Sequence, residues 1–262
     1  MDRLETLASP ALGNTRLLSF HRLILTGGRA EVATEGHEHV IDVLAGVCNV
    51  HVREADGNTH TFAGVGGRSD IFSGRPEMVY IPRDAIYVVE FVGGPFEAGI
   101  YAAPATQRSH AAHISQDRIQ VVQSGRSDWA RDVYIGLGED SPATNMMVGE
   151  TESPPGNWSS FPPHRHMEDR PPAEHAYEEL YYLKFQPAQG FAIGGLYEDP
   201  HDRRGTSSLA LVHDSEVFDA PRGYHFIAPC PGYRLRYTWA LGGSGKKFGA
   251  WIADPDHAWL SR

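Results

Sequence analysis

The chain is short of sulfur, of positive charge and of long apolar runs. Its 262 residues hold two cysteines, Cys48 and Cys230, far apart and in no CxxC spacing. That excludes a disulfide scaffold and a thiolate zinc site. Lysine and arginine number 23 against 33 acids, a net charge of −10, and no basic cluster stands out. A nucleic-acid partner is therefore not expected. No stretch approaches the ~18 apolar residues of a membrane span. The start, Met1-Asp2-Arg3-Leu4-Glu5, lacks the basic head and apolar block of a secretion signal. The expectation is a soluble cytoplasmic protein with no membrane partner. Amphipathic helices longer than two or three turns are also missing.

Chain breakers are plentiful, with 28 glycines and 18 prolines, and the apolar share of 41% is enough for a real core. Short segments rich in β-branched and aromatic residues recur at 17–25, 39–52, 78–81, 87–92 and 119–123. They recur again at 145–148, 179–185, 190–197, 208–212 and 233–240. Turn signals such as Asp56-Gly57-Asn58, Gly93-Gly94-Pro95 and Pro231-Gly232 punctuate them. The pattern predicts an all-β chain. Tyr80-Ile81-Pro82-Arg83-Asp84-Ala85-Ile86 is echoed by Asp219-Ala220-Pro221-Arg222-Gly223-Tyr224-His225, and each lies downstream of an HxH group, His37-Glu38-His39 or His164-Arg165-His166. This faint repeat implies two related β units, with the small, polar stretch 104–115 as the connection.

Histidine is abundant, at 14. In Pro162-Pro163-His164-Arg165-His166 the two prolines favour an extended chain, and residues two apart on a strand share a face. Both imidazoles can then face one metal ion. Glu178-Glu179-Leu180-Tyr181-Tyr182 opens a strand with an acid, and Pro221-Arg222-Gly223-Tyr224-His225 presents a third imidazole after a tight turn. Three imidazoles and one carboxylate on a rigid β frame make a metal site with positions left for substrate. In the first half no histidine follows the Pro-Arg turn, because Ile86 stands where His225 does. His37 and His39 are read as ordinary strand or loop residues.

These residues resemble the cupin motifs, His-x-His…Glu followed by Pro-x-Gly…His. More specifically they resemble the 5-deoxy-glucuronate isomerase family of inositol catabolism. The likeness is carried by Pro154-Pro155-Gly156-Asn157-Trp158, Pro162–His166, Glu178–Tyr182, Pro187–Phe191, Pro221–His225, Pro231-Gly232-Tyr233 and Asp254-Pro255-Asp256-His257-Ala258-Trp259. It is dense from about 145 to 262 and looser before.

The resemblance implies a bicupin: two tandem double-stranded β-helix (jelly-roll) barrels, a degenerate one over 1–115 and a metal-binding one over 116–262. It implies a divalent metal ion (zinc, manganese or iron) held by His164, His166, Glu179 and His225, with Glu178 as the rival to Glu179. The implied reaction is aldose–ketose isomerisation of a deoxyuronate, 5-deoxy-glucuronate to 5-dehydro-2-deoxy-gluconate. Glu178, Tyr181, Tyr197 and His257 are the candidate bases. Gln189, Phe191, Arg222 and Trp259 are the candidate substrate contacts, with Trp259 on a tail that could cover the barrel mouth. The partner is a small sugar acid, and assembly into a homo-oligomer is left open.

One departure matters. The family has a Gln-Arg pair where this chain reads Gly194-Gly195. Alternation puts Gln189, Phe191, Ile193, Gly195 and Tyr197 on one face, so a cation for the substrate carboxylate is absent there. Either Arg222, Arg236 or Lys184 replaces it, or the substrate differs. The competing functional readings are a non-catalytic sugar-acid-binding cupin and an Fe(II) cupin dioxygenase.

Overall fold

The computed structural model describes residues 2–202, 205, 207–243 and 245–261. Its first eight strands are β1 (Arg3–Ala8), β2 (Ser19–Leu25), β3 (Arg29–Ala33), β4 (His37–Arg53), β5 (Thr59–Gly66), β6 (Met78–Ile81), β7 (Ile86–Pro104) and β8 (Ala112–Ile114). The next six are β9 (Gln120–Ser124), β10 (Arg131–Leu137), β11 (Met146–Ser153), β12 (Ser159–Arg165), β13 (Tyr177–Gln186) and β14 (Phe191–Tyr197). The last five are β15 (Ser208–His213), β16 (Glu216–Ala220), β17 (Tyr224–Pro229), β18 (Arg234–Gly243) and β19 (Ile252–Ala253). Among the described residues no helix is long and apolar enough to cross a membrane.

The chain forms two compact units, Met1–Gln120 with Tyr134–Gly149, and Val121–Val133 with Glu150–Arg262. A single cut at 115/116 does not describe them, because 134–149 belongs with the first unit and the division runs through β10 and β11.

In the first unit the strands order β1-β2-β7-β4-β6-β8, with β3 on β7 and β5 on β4. Gly93-Gly94-Pro95 is not the expected turn. β7 runs straight through it, opposite register shifts in β4 between Val43 and Cys48. Gly46 makes this possible: at φ 78° a Cβ there would lie 2.9 Å from the Phe96 backbone. Bulges of this kind bend a long strand, so that one strand can serve both walls of a barrel. Ile41, Val50, Val79, Tyr87 and Ile100 are among the residues that fill the interior.

The second unit is built on two sheets, ordered β16-β13-β18-β11-β10-β9 and β15-β14-β17-β12-β19. Its inward-facing aromatics include Tyr181, Phe218 and Tyr237, with Tyr181 stacked on Phe218 and edge-on to Tyr237. The two Pro-Arg turns of the repeat are both real connections, from Ile81 to Ile86 and from Ala220 to Tyr224. The residue after each Arg, Asp84 or Gly223, has positive φ. At 223 only glycine fits, since a Cβ would lie 2.7 Å from the Tyr197 carbonyl oxygen.

Candidate metal centre

His164 sits near the end of β12, and His166 directly follows that strand. His164 pairs in register with His225 of β17, and residues opposite each other in a sheet share a face. Glu179 comes from β13 in the other sheet. One ligand atom from each of the four side chains lies within 4.8 Å of all the others, and all four residues are buried. Among the described residues this is the one such group of three or more.

The local chain fixes each imidazole. Nδ1 of His164 faces the Pro162 carbonyl at 3.1 Å, that of His166 the Tyr177 carbonyl at 2.8 Å, and that of His225 the Gly223 carbonyl at 3.2 Å. A carbonyl only accepts, so each Nδ1 carries the hydrogen and each Nε2 is left with a lone pair. Tyr177 N–H donates back to the His166 carbonyl at 2.9 Å, a reciprocal clasp that closes the loop between β12 and β13. The long spacer between His166 and Glu179 is thus a tied loop, with the buried carboxylate of Glu174 accepting from Met167 N–H at 2.7 Å.

Electrostatics then set a requirement. Glu179 Oε2 lies 2.9 Å from His166 Nε2 and 3.1 Å from His225 Nε2. Lone pairs on both partners repel unless a cation sits between them. Without a metal, a proton on His166 is favoured: burial works against its charged form, but the hydrogen bond and charge of Glu179 outweigh burial and raise its pKa. Burial works upward on Glu179, yet the same two histidines hold its carboxyl well below the usual range. His164 is pushed well down by burial and by His225, and stays neutral. Neutral imidazoles with Nδ1 hydrogens pinned on carbonyls, beside an ionised carboxylate, are the donor set of a metal site. The 4.8 Å limit is little more than twice a metal–ligand bond of about 2.1 Å, so one divalent ion fits among these residues.

Tyr181 is on the same face as Glu179. Its hydroxyl is 3.1 Å from Ser160 Oγ, and burial followed by the Glu179 charge raises its pKa well above the usual value. The neighbouring Tyr237 hydroxyl meets Ser159 Oγ at 2.8 Å. Two consecutive serines reach inward because Ser160 adopts φ 50°, where β12 and β17 shift register.

The remaining expected residues are not brought to the cluster. Glu178 points to the other face of β13, beside half-buried Asp219, whose pKa is raised first by burial and then by the Glu178 charge. Leu196, not Tyr197, pairs with His225, so Phe191, Ile193, Gly195 and Tyr197 lie on the far face of their sheet. There Tyr197 donates to Asp254, and with His257 it lines a separate cavity of about 610 Å³ walled by Trp158 and Phe226. Gln189 and Phe191 are exposed. Trp259 is 63% exposed, whereas Leu260 of the same turn lines the cavities. Position 195, where the resemblance leads one to expect arginine, faces away from the metal centre, and the Phe226 ring occupies the space a side chain would need. On the inner face, Phe218 fills the space at Gly194.

None of the three expected cations replaces that arginine. Arg222 is paired with Glu198 at 3.2 Å, Arg236 with Glu150 at 2.7 Å, and Lys184 meets Ser215 at 2.9 Å.

Two residues were missed, Arg131 and Trp251. With His164 they line both a tight cavity of about 40 Å³ that reaches Glu179 and an outer cavity of about 330 Å³. The Trp251 ring is 5.0 Å from that of His164. The sequence did carry a signal for Arg131: it stands in phase with Val133, Ile135 and Leu137, the buried side of an alternating strand.

A jelly-roll barrel with an HxH strand, a facing glutamate and a third histidine defines a cupin with a candidate metal centre. The comparisons agree. A 5-deoxy-glucuronate isomerase of Geobacillus thermodenitrificans is 29% identical over 96% of this chain and 89% of its own. One of Halalkalibacterium halodurans is 31% identical over 93% and 87%. Among solved structures, an IolB-like protein of Salmonella typhimurium superposes with a TM-score of 0.89 at 26% identity, covering 97% of this chain and 94% of that one. An oxalate decarboxylase of Lactobacillus farciminis shares the fold alone, with a TM-score of 0.69 at 11% identity over 96% and 83%. The KduI/IolB family pattern matches residues 6–260, and the chain belongs to that family.

Proposed function

We propose that the chain is a metal-dependent aldose–ketose isomerase that converts 5-deoxy-glucuronate to 5-dehydro-2-deoxy-gluconate. The observation that carries this reading is the convergence of three Nε2 lone pairs and the Glu179 carboxylate in one buried spot. The names of the family's curated relatives supply the substrate class. His164, His166, Glu179 and His225 would hold the ion; nitrogen and carboxylate donors suit zinc, manganese or iron. A divalent ion there supplies a Lewis acid for the oxygens at C1 and C2, between which the isomerisation moves a proton. Tyr181 keeps its phenolic proton on Oη beside the centre, which makes it a donor to a sugar oxygen rather than a base. The aromatic rings of Trp251 and Phe248 on the wall of the inner cavity limit the entry of water.

The test is incubation of metal-replete protein with 5-deoxy-glucuronate, followed by proton NMR in D₂O. Conversion to the ketose supports the proposal, and no conversion at saturating metal refutes it. Binding without turnover would favour a sugar-acid sensor, and oxygen uptake a dioxygenase.

A further inference from the structure

Arg131 is the first residue of β10 and is half-buried in the second unit. Its Nη1 donates to the carbonyls of Trp129 and Phe161, both at 3.1 Å, which fixes the plane of the guanidinium. Among the described residues no carboxylate makes an ion pair with it. Burying a guanidinium is costly, and such groups are kept where an anion meets them. Glu179 offers only longer-range attraction, and its charge is already committed to His166 and His225.

The surroundings say what the anion is. The outer cavity of about 330 Å³ is lined by Arg131, Arg126 and His164 and by the Trp129 and Trp251 side chains. Among the described residues none of its lining side chains is acidic, in a chain of net charge −10. The volume is at the lower end of the ~300–1,000 Å³ typical of small-molecule sites. A compact anion with an apolar flank fits this cavity, and its other end reaches His164.

We propose that Arg131 is the binding residue for the substrate carboxylate. The guanidinium fork grips the carboxylate with its remaining N–H donors, and this orients the aldehyde end of the sugar acid toward the metal centre. The inference rests on the sugar-acid reading for its ligand class, but its test is separable from it.

The experiment uses metal-loaded wild type, Arg131→Gln and Arg131→Lys. It measures metal content, steady-state isomerisation of 5-deoxy-glucuronate, and calorimetric binding of two probes, D-glucuronate and the neutral D-glucose. For Arg131→Gln, KM rises about 100-fold and D-glucuronate binding weakens by a similar factor, while kcat changes less than about threefold. Metal content and D-glucose binding stay as in wild type. Arg131→Lys keeps the charge but loses the fork, and recovers part of the affinity.

Unchanged D-glucuronate binding in Arg131→Gln overturns the inference, and so does loss of metal in step with loss of binding. If Arg131→Gln does not fold, Arg131→Lys carries the test: KM raised about tenfold supports the inference and an unchanged KM overturns it. A wild type that isomerises the sugar acid while Arg131→Gln does so equally well sinks this inference and leaves the isomerase standing. A wild type that binds D-glucuronate through Arg131 yet isomerises nothing does the reverse.

Discussion

Replacing Glu179 by Gln removes one charge and almost no volume, in a chain where the preceding residue is also Glu. Its Oε2 lies 2.9 Å from His166 Nε2. At that distance a unit charge pair contributes roughly 6 kcal/mol with an effective dielectric constant of about 20. The amide oxygen of Gln keeps a neutral hydrogen bond of about 1 kcal/mol. The loss of about 5 kcal/mol, carried over to a divalent ion, predicts metal affinity lower by at least about 1,000-fold. Glu178→Gln, on the opposite face of β13, leaves affinity within about threefold, as expected of a side chain that faces away from the cluster.

The assay is elemental analysis after dialysis against buffers of fixed free zinc or manganese. Glu179→Gln that retains wild-type affinity refutes the reasoning, as does Glu178→Gln with the larger loss. The metal-free proteins give a second reading. The pKa of His166 is raised from 6.5, so its contribution is complete below 6.5 and fades as pH rises through the folded value. That of Glu179 is lowered from 4.5, so its contribution is complete above 4.5 and fades as pH falls through the folded value. The stability difference between wild type and Glu179→Gln should therefore be largest between pH 4.5 and 6.5 and shrink on both sides.

The five tryptophans, at 129, 158, 239, 251 and 259, all lie in the second unit. Chelation should thus lower the thermal midpoint seen by tryptophan fluorescence, by an amount matching about 4 kcal/mol if the metal had stood at 1,000 times its Kd, and readdition should restore it. An unchanged midpoint in chelator would count against a bound ion. In the first unit, burial and then the charge of His21 push His39 down to about 3, so its protonation favours the unfolded chain. Stability is full above pH 6.5 and falls by up to about 1.4 kcal/mol per unit as pH drops toward 3. His39→Gln flattens that limb in urea titrations followed by circular dichroism, and an unaltered slope would show that His39 is not its source. Tyr181→Phe keeps its metal but loses a buried donor beside the centre; kcat falls about 100-fold with KM little changed, and equal kcat in stopped assays would remove Tyr181 from the chemistry.

The metal cluster was legible because its signals are local. An HxH pair needs only strand alternation to converge, and the Pro-Arg-Gly turn fixes where His225 emerges. The face of β14 was not legible, since Gly194 and Gly195 are equivalent by sequence. Pairing of Leu196 with His225 decides between them, and that register is set by another strand. Gly93-Gly94-Pro95 misled for a related reason: a bulge and a turn use the same residues, and only the partner strand distinguishes them. Arg222 and Arg236 were candidates as cations near the right motifs, but their carboxylate partners, Glu198 and Glu150, come from distant segments. Arg131 was overlooked because it lies outside every motif, although its phase in β10 marks it as inward.

The assignment of Tyr134–Gly149 to the first unit constrains how this molecule can be divided. Glu38 is wholly sheltered, and its carboxylate accepts from Thr144 N–H and Asn145 N–H at 2.7 Å each and from the Tyr80 hydroxyl at 3.0 Å. A fragment ending at residue 120 keeps the glutamate and Tyr80 but discards both amides, stranding an anion in an apolar interior. Neither half can be excised or transplanted with one cut, so recombination within the family would have to exchange matched segments rather than whole barrels.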